Sequence, residues 1–129
     1  MIARRGHPAM TRPLTIKAFA ALPHLLISRH GEAFGAIDLA LREFGLSRRI
    51  ALTVPHLRAA GFRVAGSDTI AVMPERVAQR MRPAARLEVH ELPIHVLPWT
   101  VGLAQSKDSL ADACMRWLVA LISSVAAAV

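Results

Sequence analysis

An α/β fold is what this chain predicts, and two observations carry the prediction. Short apolar, partly β-branched runs alternate with stretches of helical period, and prolines stand where one passes into the other. The stretch Ala51 to Met81, ALTVPHLRAAGFRVAGSDTIAVMPERVAQRM, shows both. Ala51–Val54 has the composition of a buried strand, and Pro55 falls where a first helical turn tolerates a missing N–H. Leu57, Ala60, Gly61 and Val64 then form one apolar helical face, with Gly66 as the stop. Thr69–Met73 is a second strand-like run. Pro74 opens another helix, with Val77, Ala78 and Met81 inward and Glu75, Arg76, Gln79 and Arg80 outward. Strand, helix, strand and helix within about thirty residues are βα units.

The other elements follow in chain order. Ile2-Ala3 leads into RRGHP, where almost nothing of a strand is expected, and His7 beside a proline reads as a surface turn residue. Thr15 caps a short helix, Ile16–Leu22, and Pro23 stops it. His24–Ser28 (HLLIS) is a strand apolar enough to be buried on both faces. After the loop Arg29-His30-Gly31-Glu32, the helix Gly35–Phe44 places Ile37, Ala40, Leu41 and Phe44 on one side. Gly45 is its left-handed cap, and Leu46 packs back on its end. Arg48-Arg49 leads into the strand at Ile50–Val54. Farther on, Arg82-Pro83 is expected to break the helix that Pro74 opened. Arg86–Leu92 reads as an edge strand with an imperfect apolar face. Thr100–Ser106 reads as another strand, and Asp108 or Ser109 as the cap of a last helix. Leu110, Ala113, Cys114, Trp117, Leu118 and Leu121 mark the apolar stripe of that helix.

Composition narrows the function classes. At 129 residues, 53% apolar and 19% charged, the chain has the makings of one folded domain. The single Cys114 rules out an intramolecular disulfide and fits a reducing, cytoplasmic compartment. The net charge of +7 raises the question of nucleic acid, but the basic residues are scattered along the chain, which favours solvated faces. Four Phe, two Trp and no Tyr leave few rings for stacking single-stranded bases. Met1–Arg5 is not followed by the apolar segment of a signal peptide. Trp117–Val129 carries no charge but falls short of the roughly twenty residues that span a bilayer.

Catalytic and metal constellations do not assemble. The histidines His7, His24, His30, His56, His90 and His95 lack HExxH or helical i, i+4 spacing, so no metal is expected. Cys114 lies mid-helix on an apolar stripe, as a core cysteine does. No GxSxG, GxxxxGK[ST] or GxGxxG occurs, and neither an enzyme nor a bound cofactor is expected.

Binding remains. In open α/β sheets ligands sit beyond the carboxyl ends of strands, where helix N-termini present free N–H groups. Two such ends can be named: Ser28, Arg29 and His30 after HLLIS, and Thr53, Val54, Pro55 and His56 where the next strand feeds a helix. Their hydroxyls, N–H groups and cationic or protonatable side chains suit a small carboxylate or phenolate. Equally, Thr53 as a mere helix cap and Arg29 as a solvated loop residue would explain the same letters.

The ordered series ARRGHPAMTRPLTIKAFAALPHLLIS, GAIDLALREFGLSRR and ALTVPHLRAA…VAGSDTIAVMPERVAQRM resembles the effector-binding domain of LysR-type transcriptional regulators, from about Ala3 to Leu121. The resemblance implies one lobe of a bilobed fold shared with type 2 periplasmic binding proteins, plus a returning strand and a C-terminal helix. It implies a residue of the first lobe and the crossover over 1–11, the effector-binding second lobe over 12–98, and a return to the first lobe over 99–129. The segment matching Thr53–His56 commonly contributes to the effector cleft in such proteins. The chain departs from the family pattern by lacking the helix-turn-helix, the linker helix and the first half of the first lobe. A fragment that senses a small anionic metabolite, is not DNA-binding by itself and makes no membrane contact is therefore expected; DNA would be reached only through the absent helix-turn-helix. The alternative is a stand-alone module that self-associates, or joins an intact family member, through its C-terminal helix, whose Trp117, Leu118 and Leu121 have no lobe to cover them.

Overall fold

The computed structural model describes residues 1–98 and 101–127, which divide into two compact units, Met1–Pro98 and Trp99–Val129. In the first unit a five-stranded sheet is built from β1 (Ile2–Arg4), β2 (Pro23–Ile27), β3 (Arg49–Val54), β4 (Ile70–Ala71) and β5 (Leu87–Val89). The spatial order is β3-β2-β4-β1-β5. Strand β2 runs parallel to β3 and β4, while β1 is antiparallel to β4 and β5. The helices are α1 (Ile16–Ala21), α2 (Ala36–Arg42), α3 (Leu57–Ala65) and α4 (Glu75–Ala85).

Strand residues alternate between two cores, as the period of two requires. Ile2, Leu25, Val54, Ala71 and Leu87 pack with Ala60, Val64, Ala78 and Ala85 of α3 and α4. Met1, Ala3 and Ile70 pack on the other side with Phe19, Ala20, Ile37 and Leu41 of α1 and α2. The result is three layers with the sheet in the middle. Gly61 lies at the α3–α4 contact, where a Cβ would meet the Met81 methyl, the movable end of a flexible side chain.

Local chemistry ends most elements where the sequence places the signal. The Thr15 hydroxyl accepts from the Ala18 N–H, and Leu22, ahead of Pro23, is extended. Gly45 takes φ +66°, and the Leu46 N–H returns to the Leu41 carbonyl. Gly66 caps α3 at φ −103°, without using the left-handed region open to glycine.

Several expectations need correction. Ile2–Arg4 is a complete strand held between two neighbours, with Ile2 and Ala3 fully buried. His7 is not a surface residue but 2% exposed. Its Nδ1 accepts the Ala9 N–H, so its Nε2–H donates to the Asp68 carbonyl, tying the β1 turn to the loop before β4. Helix α4 runs through Pro83 to Ala85, because the proline lies in the last turn and Ala85 buries against the sheet. Arg86 then closes α4 at φ +51°, its N–H bonded to the Arg82 carbonyl. Helix α3 begins at Leu57 rather than Pro55, since His56 is still extended. The strand expected over Thr69–Met73 pairs only at Ile70–Ala71.

The second unit holds a 3-10 turn, Lys107–Ala111, and α5 (Ala113–Ala127). The expected strand over 100–106 is absent from 101–106, where every residue is exposed and no strand pairs; Thr100 lies outside the described residues. The cap of α5 is Asp112, whose Oδ1 accepts from the Cys114 and Met115 N–H groups, rather than Asp108 or Ser109. The Leu110, Ala113, Cys114, Trp117, Leu118 and Leu121 stripe is exposed throughout, so Cys114 is not a core residue.

Candidate functional site

Because β2, β3, β4 and β5 all point the same way, their carboxyl ends share one edge of the sheet. The Ser28 N–H donates to the Val54 carbonyl at 3.0 Å, carrying the β2–β3 ladder one step past the last strand residues. That bond brings the segments Ser28-Arg29-His30 and Thr53-Val54-Pro55-His56 side by side. Val54 is buried and Ser28 and Thr53 are half-buried, while Arg29, His30, Pro55 and His56 are exposed. Thr53 does not cap a helix, since the N-cap of α3 is His56 and no side chain fills that role. The first N–H groups of α3 are therefore free to meet a ligand or water. The Ser28 hydroxyl is already engaged, donating to Glu32 Oε2 at 2.5 Å, which holds the Glu32 carboxyl below its ordinary value. An incoming carboxylate would have to displace Glu32 to use that hydroxyl.

The structure adds two positions that sequence reasoning missed. Helix α4 starts directly after β4 at Pro74, again with no side-chain cap, so a second open N-terminus lies on this edge. The strand–proline–helix junction repeated in TVPHL and VMPER was the available signal. The other is His90 at the end of β5, whose N–H donates to the Met1 carbonyl at 2.9 Å. Its Nε2 is buried without a hydrogen-bond partner and lies 3.6 Å from Glu88 Oε2. Burial pushes its pKa down, and Glu88 opposes the shift. A cavity of about 400 Å³ lies beside it, lined by Met10, Arg12, Leu14 and Leu92 among others. No sequence pattern marks His90, because its burial depends on pairing with a strand far away in the chain.

A buried polar network pins the start of α2, where the loop that carries Ser28–His30 ends. Arg48, its side chain 1% exposed, grips Asp38 with Nε and Nη2 at 2.9 and 2.7 Å. Asp38 Oδ2 also accepts the Gly35 N–H at 2.7 Å, which pins the start of α2. Arg48 Nη1 meets His24 Nδ1 at 3.3 Å, so that nitrogen accepts and Nε2–H donates to the Phe19 carbonyl at 2.9 Å. Burial lowers the His24 pKa to about 4, and the charge of Arg48 adds to the shift. Burial pulls the Asp38 carboxyl up, but the hydrogen bond and charge of Arg48 outweigh it and leave the group below its ordinary value. The imidazole is thus a neutral linker between a strand and an ion pair.

Among the described residues no group of His, Cys, Asp and Glu side chains could hold a metal, and no helix is long and apolar enough to cross a membrane. A family model described as LysR substrate binding domain matches residues 1–127. The chain belongs to that family. It is 35% identical over 126 residues to the HTH-type transcriptional regulator SyrM of Rhizobium meliloti (strain 1021), covering 97% of this chain and 39% of SyrM. It is 35% identical over 77 residues to the HTH-type transcriptional activator NagR of Ralstonia sp, 60% of this chain and 26% of NagR. The chain thus spans well under half the length of these curated relatives. Among solved structures, the regulatory domain of MexT, a transcriptional activator in Pseudomonas aeruginosa, superposes with a TM-score of 0.71 at 27% identity, covering 95% of this chain and 58% of that one. A transcriptional regulator from Vibrio parahaemolyticus reaches 0.79 at 21% identity over 94% of this chain and 57% of its own, a likeness of fold. As a LysR substrate-binding domain the chain has the mixed α/β architecture of regulatory domains, and its relatives are transcriptional regulators.

Proposed function

We propose that this LysR substrate-binding domain is the effector-sensing part of a transcriptional regulator, taking a small anionic metabolite where β2 and β3 end. The observation that carries the reading is the Ser28–Val54 backbone bond beside the uncapped α3 N-terminus. Ser28, Arg29, His30, Thr53, Val54, Pro55 and His56 form the effector-binding edge. The N–H groups of α3 and the Arg29 guanidinium supply the positive end for a carboxylate or phenolate, and His30 a ring nitrogen for a hydrogen bond. Met1–Pro98 acts as the effector-facing lobe, with Ile2–Arg4 counted in it because its backbone pairs inside the same sheet. Residues 99–129 return to another lobe, and the exposed face of α5 makes contact with that lobe, a second copy or an intact family member. DNA is read by a helix-turn-helix elsewhere in the regulator, and the protein works in the cytoplasm without membrane contact, cofactor or catalysis.

The test uses benzoate as a minimal aromatic carboxylate and calorimetry on the 129-residue chain. Thr53→Ala combined with His56→Ala is expected to weaken binding at least tenfold while thermal unfolding stays within a few degrees of the parent. Unchanged affinity in the double variant would remove the site from this edge.

A further inference from the structure

Six of the chain's fourteen arginines belong to α3, α4 and the α4 cap. Arg58 and Arg63 of α3, Arg76, Arg80 and Arg82 of α4, and Arg86 at its cap are all exposed. By helical spacing Arg76 and Arg80 share the outer side of α4, opposite Ala78 and Ala85, Arg82 and the cap Arg86 flank it, and Arg58 and Arg63 flank the outer side of α3. Glu75 is the sole carboxylate these two helices carry. Asp68, in the loop between α3 and β4, is held by Arg4 at 2.7 Å. Glu88 follows Leu87 on β5 and so points to the opposite face of the sheet. Among the described residues the side-chain ion pairs are Arg4–Asp68, Arg48–Asp38 and His90–Glu88, so none of the six arginines is neutralised within the molecule.

We infer that this face is a docking surface for the phosphate backbone of duplex nucleic acid. Three features choose that partner. The cations are arginines, whose planar fork meets phosphate oxygens in pairs. The face offers one large exposed apolar side chain, Phe62, whereas a protein interface needs an apolar centre. One ring does not stack successive single-stranded bases, so a duplex fits better than a single strand. From Arg76 to Arg86 the helix runs about 15 Å, a length over which duplex DNA carries about nine phosphates. Phosphates therefore outnumber the cations, and each guanidinium has an acceptor within reach. Nothing on this face requires entry into a groove. The contact is indifferent to base sequence, leaves operator reading to another domain, and adds affinity to a regulator already held on its site.

The experiment measures fluorescence anisotropy of a labelled duplex of random sequence with the full 129-residue chain across a salt series. Binding at low salt is expected, with log K falling against log salt at a slope of about −4, as for four to five phosphates. Arg76→Glu with Arg80→Glu is expected to weaken binding more than tenfold and to flatten the slope by about two. Arg76→Lys with Arg80→Lys keeps most of the binding, which separates lost charge from lost folding. Arg42→Glu with Arg49→Glu, away from the α3/α4 layer, leaves it within about twofold. An equal loss from that second pair would mean that net charge alone attracts DNA and would overturn the assignment. A glutamate-rich peptide that competes as well as unlabelled duplex would overturn it in favour of an acidic protein.

Discussion

On the α1/α2 side of the sheet the interior includes titratable and charged groups, His24, Arg48 and Asp38, joined in one network. On the α3/α4 side the interior is apolar, with small residues at Ala60, Gly61 and Ala78, and the charge lies on the outside. The two sides bury comparable secondary structure against the same strands. They differ in where arginine is placed. Arg48 is inside and fully engaged, whereas Arg58, Arg63, Arg76, Arg80, Arg82 and Arg86 are outside and have no ion pair among the described residues. A guanidinium with defined partners specifies a loop; one without them is available to something else. The first side is therefore sensitive to charge and pH, and the second to volume.

The largest expected effect comes from removing the inside cation. Arg48→Ala strips Asp38 of its partner and leaves His24 Nδ1 without a donor, and is expected to cost about 3–5 kcal/mol in urea unfolding. A loss below about 1 kcal/mol would mean that the network is solvated and the contrast between the sides is false. Leu87→Ala, on the apolar side, is expected to cost about 2–4 kcal/mol through its cavity. That loss should be the same at pH 5 and pH 8, since the side chains that form the cluster around Leu87 are apolar.

The pH experiment sharpens the same contrast. His24 has a folded pKa of about 4, below the 6.5 of the unfolded chain, so protonation favours unfolding. Its contribution is complete above about pH 6.5 and is lost as pH falls toward about 4, amounting to about 3 kcal/mol over that window. Asp38, also depressed, adds a loss in the same direction at lower pH. In His24→Asn the stability curve between pH 6.5 and 4 is expected to be markedly flatter. An unchanged slope would assign the acid sensitivity to other groups. The smallest effect is at a cap: Thr15→Ala, which removes the bond to the Ala18 N–H, is expected to cost about 1 kcal/mol by thermal unfolding.

The parts of the fold that the sequence announces are those held by local rules. Thr15, Pro23 and Gly45 act on their own neighbours, and their positions can be read directly; the junction at Thr53–His56 is announced too, though α3 begins only at Leu57. Strand β1 could not be read this way, because three residues carry no periodicity and its burial comes from β4 and β5. His7 is buried, and the His90 Nε2 is covered, for the same long-range reason. Arg48 and Arg49 are neighbours with identical side chains, yet one is interior and the other exposed. Only the position of Asp38 on a separate element decides between them. Pro83 misled in the opposite direction, since the burial of Ala85 sustains the turn that a proline ordinarily ends. The candidate effector edge was legible for β2 and β3 and not for the junction at Pro74 or for His90, and the arginine face emerged only when α3 and α4 were laid side by side.

A small anion held where β2 and β3 end should register in the amide chemical shifts of the ¹⁵N-labelled chain titrated with benzoate. Saturable shifts confined to Ser28–His30 and Thr53–Ala59, with one affinity across them, are the expected result. Shifts centred on Met10–Leu14 and His90–Leu92 would place the ligand in the cavity beside His90 and contradict the assignment.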